Sequence, residues 1–169
     1  MTQAAGSTTA DLNTDITGVN GSHVDWRAPS KAPHPARAAG LASYAAVCSK
    51  NKAAWLDLFA DDGWIEDPVG QSPIDPEGSG HHGAAAREAF YDKTIATVDT
   101  FVFEIHDSFA AGNECANTGV IHMTLANGYA IDCEGVFVYR VTDDGKLLSL
   151  RAMWEFERGM KTARQIASS

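Results

Sequence analysis

Apolar side chains recur along this chain at two different periods, and the change from one to the other divides it. From Ala36 to Lys50, Leu41, Tyr44, Ala45 and Cys48 return every three or four residues, the spacing that gives a helix one apolar face. Gly40 is a weak point near its start, since an interior glycine costs about 1 kcal/mol relative to alanine. Asn51 fits the N-cap of a short second helix reaching Phe59, with Trp55, Leu58 and Phe59 as its stripe. Asp61-Asp62-Gly63 turns the chain into Trp64 to Asp67, and the proline- and glycine-bearing stretch from Gln71 to Gly80 reads as a loop. A third helix is expected from Ala84 to about Ala96, with Ala86, Phe90 and Ile95 toward the core.

Beyond residue 100 the period becomes two. Phe101, Phe103 and Ile105 alternate with polar or smaller residues, as in a half-buried strand. Val120 to Leu125 and Tyr129 to Tyr139 flank Asn127-Gly128, the pair that most readily supplies positive φ at both centres of a two-residue hairpin turn. A last strand is expected from Leu147 to Phe156, after the Asp143-Asp144-Gly145 turn. Helices first and antiparallel strands afterwards define an α+β fold, with three N-terminal helices packed on a curved, mainly antiparallel sheet.

If Asn127 and Gly128 are the two loop residues, His122 lies opposite Cys133, and one hairpin face carries Val120, His122, Thr124, Ile131, Cys133, Gly135 and Phe137. The other carries Ile121, Met123, Leu125, Asp132, Glu134, Val136 and Val138. One helical layer covers one face only. Ile121, Met123, Leu125, Val136 and Val138 are therefore expected on the outside, where a second copy of the chain would bury them in a homodimer.

Residues 1–34 are rich in Thr, Ala, Gly, Ser and Asn and are expected to form a flexible extension, with Trp26 able to dock on the body; 35–160 is the folded domain and 161–169 a tail. The 13 basic and 22 acidic side chains give a net charge of −9, which argues against nucleic acid or an anionic membrane as partner. No apolar run approaches the ~20 residues of a spanning helix, and no secretory leader is evident. Cys48, Cys115 and Cys133 are odd in number and widely spaced, which suggests neither disulfides nor a thiolate zinc site. A reduced cytoplasm is the expected location.

The chemistry gathers in Trp64-Ile65-Glu66-Asp67-Pro68-Val69-Gly70, which ends an apolar run in two carboxylates just before a proline and a glycine. One carboxylate facing inward would have its pKa raised by burial, which makes a proton acceptor for carbon acids near neutral pH. The alternative is a strand end whose acids point to water.

With that stretch in place, the chain resembles the ketosteroid isomerase-like and polyketide cyclase-like branch of the nuclear transport factor 2-like superfamily over about residues 38–158. The likeness rests on Leu58-Phe59-Ala60-Asp61-Asp62, on Glu66 to Gly70, on Gly83 before the third helix with Phe90-Tyr91 inside it, and on Gly145 to Ala152. It implies a cone-shaped α+β barrel around a deep apolar pocket, commonly dimeric through the outer sheet face, with no cofactor and no metal. By position, Asp67 matches the family's base, Ser43 or Tyr44 its oxyanion-donating tyrosine, and Trp154 a pocket wall. Phe137 falls where the family places an aspartic acid that donates the second oxyanion hydrogen bond. His122 is the inward polar group that the cyclase branch would use together with Asp67. Val120, Thr124, Phe137, Leu150 and Trp154 would line the site beside Ser43. The resemblance thus implies a steroid Δ5-isomerase-like enzyme acting on a 3-oxo-Δ5-steroid or a similar flat ketone, a non-catalytic binder of such compounds, or cyclase-like aldol chemistry.

Overall fold

Pro35 opens α1 (Pro35–Cys48), where its fixed φ and missing N–H cost nothing, and the His34 ring accepts from the Ala36 N–H. The computed structural model describes residues 9–166. Leu41, Tyr44 and Cys48 of the predicted stripe are buried. Gly40 is where the helix meets the sheet: a Cβ there would lie 3.0 Å from the Tyr139 ring, so the glycine permits the contact. Tyr44 packs at 4.5 Å between ring centroids on Phe103 and meets Tyr139 edge-on at 5.8 Å.

Asn51 caps α2 (Lys52–Asp57) by accepting from the Ala54 N–H at 3.0 Å. Phe59, expected to close this helix, instead begins a strand. The third helix, α3 (Ala84–Lys93), stops three residues short of its predicted end, where the Thr94 hydroxyl donates to the Phe90 carbonyl and a 3-10 turn over Ile95–Thr97 takes over. A fourth short helix, α4 (Phe156–Met160), occupies the end of what was expected to be the last strand.

The strands are β1 (His23–Trp26), β2 (Phe59–Glu66), β3 (His81–His82), β4 (Val98–Ala111), β5 (Glu114–Leu125), β6 (Tyr129–Val141), β7 (Leu147–Met153) and β8 (Arg164–Gln165). They form one curved, open sheet in the order β1-β4-β5-β6-β7-β2-β3, with β8 added on β6. β1 runs parallel to β4 and β2 parallel to β7; the remaining pairs are antiparallel. Part of the stretch read as a flexible extension is thus sheet: β1 pairs along the free edge of β4, Val24 and Ala28 are buried, and the buried Ser22 hydroxyl accepts from the Phe101 N–H. A four-residue strand in a polar context leaves almost no trace in composition. At the other end, Arg164 and Gln165 of the expected tail pair with Ala130 and Tyr129.

The hairpin register differs from the predicted one by a residue. Thr124 pairs with Ala130 and Ile121 with Cys133, which leaves Ala126, Asn127 and Gly128 as a three-residue loop. Gly128 has φ +83, the Gly128 N–H bonds to the Leu125 carbonyl, and Asn127 keeps negative φ. A two-residue turn of the predicted type needs positive φ at both centres, so the chain takes the three-residue form with glycine in the left-handed position. Since side chains alternate, this one-residue slip turns the whole of β5 over. Ile121, Met123 and Leu125 point to the inner face, and Val120, His122 and Thr124 to the outer. The faces of β6 are as predicted, with Cys133 and Phe137 inside and Val136 and Val138 outside.

Candidate active site

Asp67 owes its position to the end of β2. Ile65, beside Leu150 of β7, is fully buried, and Glu66 turns outward to accept from Arg151 Nε at 2.8 Å. The chain leaves the sheet at a cis Asp67–Pro68 peptide, and the Val69 N–H bonds to the Ala152 carbonyl. Asp67 then faces in, and Trp154 Nε1 donates to its Oδ1 at 2.6 Å. Burial pushes the Asp67 carboxyl up to about 6, against the Trp154 hydrogen bond, which favours the charged form. Burial pushes the neighbouring Cys133 thiol up to about 12, and the negative charges of Asp67 and Asp132 act in the same direction.

Asp67 borders a cavity of about 250 Å³ between the inner sheet face and the helices. The walls are mostly apolar and aromatic, including Phe101, Phe103, Ile121, Met123, Phe137 and Leu150, with Phe156 and Met160 of α4 and with Trp154 beside Asp67. A cavity of this make-up, with few convergent polar groups, is the usual form of a small-molecule site. Tyr44 and Ser43 both line it. The Ser43 hydroxyl accepts from Trp55 Nε1 at 3.1 Å, which holds it to the helix packing. The Tyr44 oxygen accepts from Asn117 Nδ2 at 3.0 Å, which leaves its own hydrogen to donate. Burial pushes the Tyr44 phenol up to about 12, opposed by hydrogen bonds from Tyr139 and Asn117, so it stays protonated near neutral pH. Asn117 is fully buried and belongs to a polar chain running through Cys115 and Ser108 to Arg37.

Of the residues picked out from sequence, Asp67, Tyr44, Ser43, Phe137, Leu150 and Trp154 all line this cavity. Val120, His122 and Thr124 do not, because the register slip of β5 places them on the outer face. His122 there lies between Asp132, with Nδ1 to Oδ1 at 2.8 Å, and Glu104, with Nε2 to Oε2 at 3.3 Å. It cannot act with Asp67 on a common ligand. Phe137 is buried in the wall and brings no donor. Sequence reasoning missed Ile121, Met123 and Leu125 as walls, all of which the true hairpin register supplies. It also missed Lys93, Thr94 and Thr97, which border the cavity because α3 ends early.

A curved open sheet and helices around one apolar cavity, with an acid at its wall, define the cone-like nuclear transport factor 2-like class. A family model described as a SnoaL-like domain matches residues 41–150, and the chain belongs to that family. RV0760c from Mycobacterium tuberculosis is 31% identical, with a TM-score of 0.71 over 80% of this chain and 98% of that one. The same protein in complex with estradiol-17β-hemisuccinate is 32% identical, with a TM-score of 0.70 over 78% and 99%. A Δ5-3-ketosteroid isomerase from a Mycobacterium species is 34% identical, with a TM-score of 0.70 over 78% and 98%. Among curated proteins none matches the chain.

Proposed function

We propose that the protein takes a flat, apolar carbonyl compound into this cavity and moves a proton between two of its carbons, with a 3-oxo-Δ5-steroid as the specific substrate. The observation that carries the reading is Asp67: a carboxylate beside an apolar cavity whose proton affinity burial brings near neutrality. A base so tuned is ionised at working pH yet still holds a proton well, which suits both halves of a proton shuttle. In the reaction, Asp67 removes the proton from carbon 4, between the carbonyl and the double bond, and the electrons move onto the carbonyl oxygen. The Tyr44 hydroxyl donates to that oxygen. The Asp67 carboxylic acid then returns the proton at carbon 6, and the conjugated 3-oxo-Δ4 product forms with no net change of protons. Trp154 Nε1 steadies the ionised base between turnovers.

The 34% identity to the mycobacterial ketosteroid isomerase supports this substrate class. Phe137 favours a second reading, a binder of such compounds with little turnover, because the wall there carries no donor and losing one oxyanion contact costs roughly 10²–10³ in rate. A single assay separates the two. Absorbance of the enone formed from a Δ5-3-ketosteroid should rise with wild type and stay flat with Asp67→Asn; binding without any enone in the wild type selects the binder, and equal rates in the two proteins remove Asp67 as base. The protein is further proposed to work as a homodimer through its outer sheet face.

A further inference from the structure

The cavity has a charge at each end. Asp67 stands near Cys133, which pairs with Ile121. Lys93 ends α3, and the 3-10 turn after it leads to Val98, which pairs with Leu125. The Ala126 N–H bonds to the Thr97 carbonyl, fixing this turn to the far end of β5. Between the two levels β5 advances four residues, roughly 13 Å at ~3.3 Å per residue. That is about the length of a fused four-ring skeleton. Among the described residues that line the cavity Lys93 is the one cation, and it is exposed, which places it at the solvent side.

Lys93 also differs from the cations that the fold pairs with acids. Lys52, Arg151 and Arg164 each meet a carboxylate within 3.0 Å. Among the described residues no carboxylate lies within ion-pair distance of Lys93. The reason is local: three and four residues before it stand Phe90 and Ala89, where a helix would carry a partner acid, while Glu88 and Asp92 are turned to Lys52. Asp75, in the loop before β3, is held by the Gly78 and Gly80 N–H groups. A protein of net charge −9 thus holds Lys93 without an acidic partner, among the described residues, beside its apolar cavity.

We infer that the ligand, on the reading of the cavity given above, carries a carboxylate at the end remote from its reacting ketone, and that Lys93 receives it. The ring system fills the apolar middle, the ketone meets Tyr44 and Asp67, and the acidic side chain emerges at Lys93. The test uses 3-oxo-androst-4-ene-17β-carboxylic acid and its methyl ester, whose binding is read by tryptophan fluorescence and needs no turnover. At low salt the acid should bind wild type roughly two- to fivefold more tightly than the ester, the size expected of an exposed ion pair. In Lys93→Gln the ratio should fall to about one, and in Lys93→Glu it should invert. Equal binding of acid and ester to wild type, or a ratio unchanged in Lys93→Gln, overturns the role of Lys93 and leaves the steroid cavity standing. If neither compound binds wild type, both readings fall together.

Discussion

A carboxylate at the wall of an apolar cavity lowers stability whenever it is ionised, and Asp67 makes that cost measurable. Its proton affinity is raised from an ordinary value of 3.8 to about 6. Between those two pH values the native chain holds a proton that the unfolded chain has released, so stability falls as pH rises through the window. Above pH 6 the whole cost is present, at most about 3 kcal/mol, since each unit is worth about 1.4 kcal/mol. Below about pH 4 it is absent, both states being protonated. Asp67→Asn removes the charge and keeps an oxygen that can accept from Trp154. The variant should therefore melt higher than wild type at pH 8, by several degrees at roughly 2–4 °C per kcal/mol for a chain of this size. The two should converge near pH 4. Thermal melts across that range check it, and a variant equally or less stable at pH 8 would show that Asp67 is solvated. That Asp67 borders the cavity was legible through the family resemblance, whereas the acidic pair by itself left both inward and outward directions open. The side of His122 was not legible, because it was decided at the turn that begins four residues on, at Ala126.

At the scale of elements, α4 decides how firmly the base is held. Gly159 lies under the Trp154 ring: a Cβ there would come within 3.1 Å of it and 3.5 Å of Cys133 Sγ. Trp154 also leans on Phe156, with ring centroids 5.8 Å apart. Gly159→Val should push the indole off Asp67 and weaken the 2.6 Å hydrogen bond. Because that bond favours the ionised carboxylate, its loss should raise the Asp67 pKa further and move the acid limb of a rate profile to higher pH. An unchanged limb in a folded variant would mean that α4 plays no part in positioning the base. Nothing in the sequence announced α4, since Trp154 and Phe156 continue the alternation of β7. The helices were legible because their stripes span several turns, and β4 because Phe101, Phe103 and Ile105 alternate without interruption. The side taken by β5 was not, because both of its faces are apolar enough for either register and only the φ angles of Asn127 and Gly128 choose.

Over the whole molecule, the same slip that builds the cavity also changes the surface left outside it. Ile121, Met123 and Leu125 are spent on the cavity wall, so the face that was expected to carry a dimer loses three of its five apolar residues. The outer face nevertheless has an apolar ladder of its own. Phe109, 61% exposed, pairs with Ala116, which pairs with Val138; beside them Thr118 pairs with Val136, and Val136 with the 42% exposed Met153. These side chains cross four adjacent strands, whereas His122, Glu104 and Asp132 form a charged cluster farther along the same face. A phenylalanine left this exposed beside other apolar side chains of the same face is a more telling sign of a partner surface than scattered apolar residues elsewhere. Two copies laid face to face would bury both ladders while the charged clusters stay at the rim, where ions are cheaper to keep hydrated. Sedimentation should therefore report twice the chain mass for wild type at micromolar concentration. Phe109→Glu and Val138→Asp, each placing a charge in the middle of that patch, should give monomers that still bind ligand, since neither residue borders the cavity. A wild type that sediments as a monomer, or a dimer indifferent to both substitutions, would move the contact to another surface.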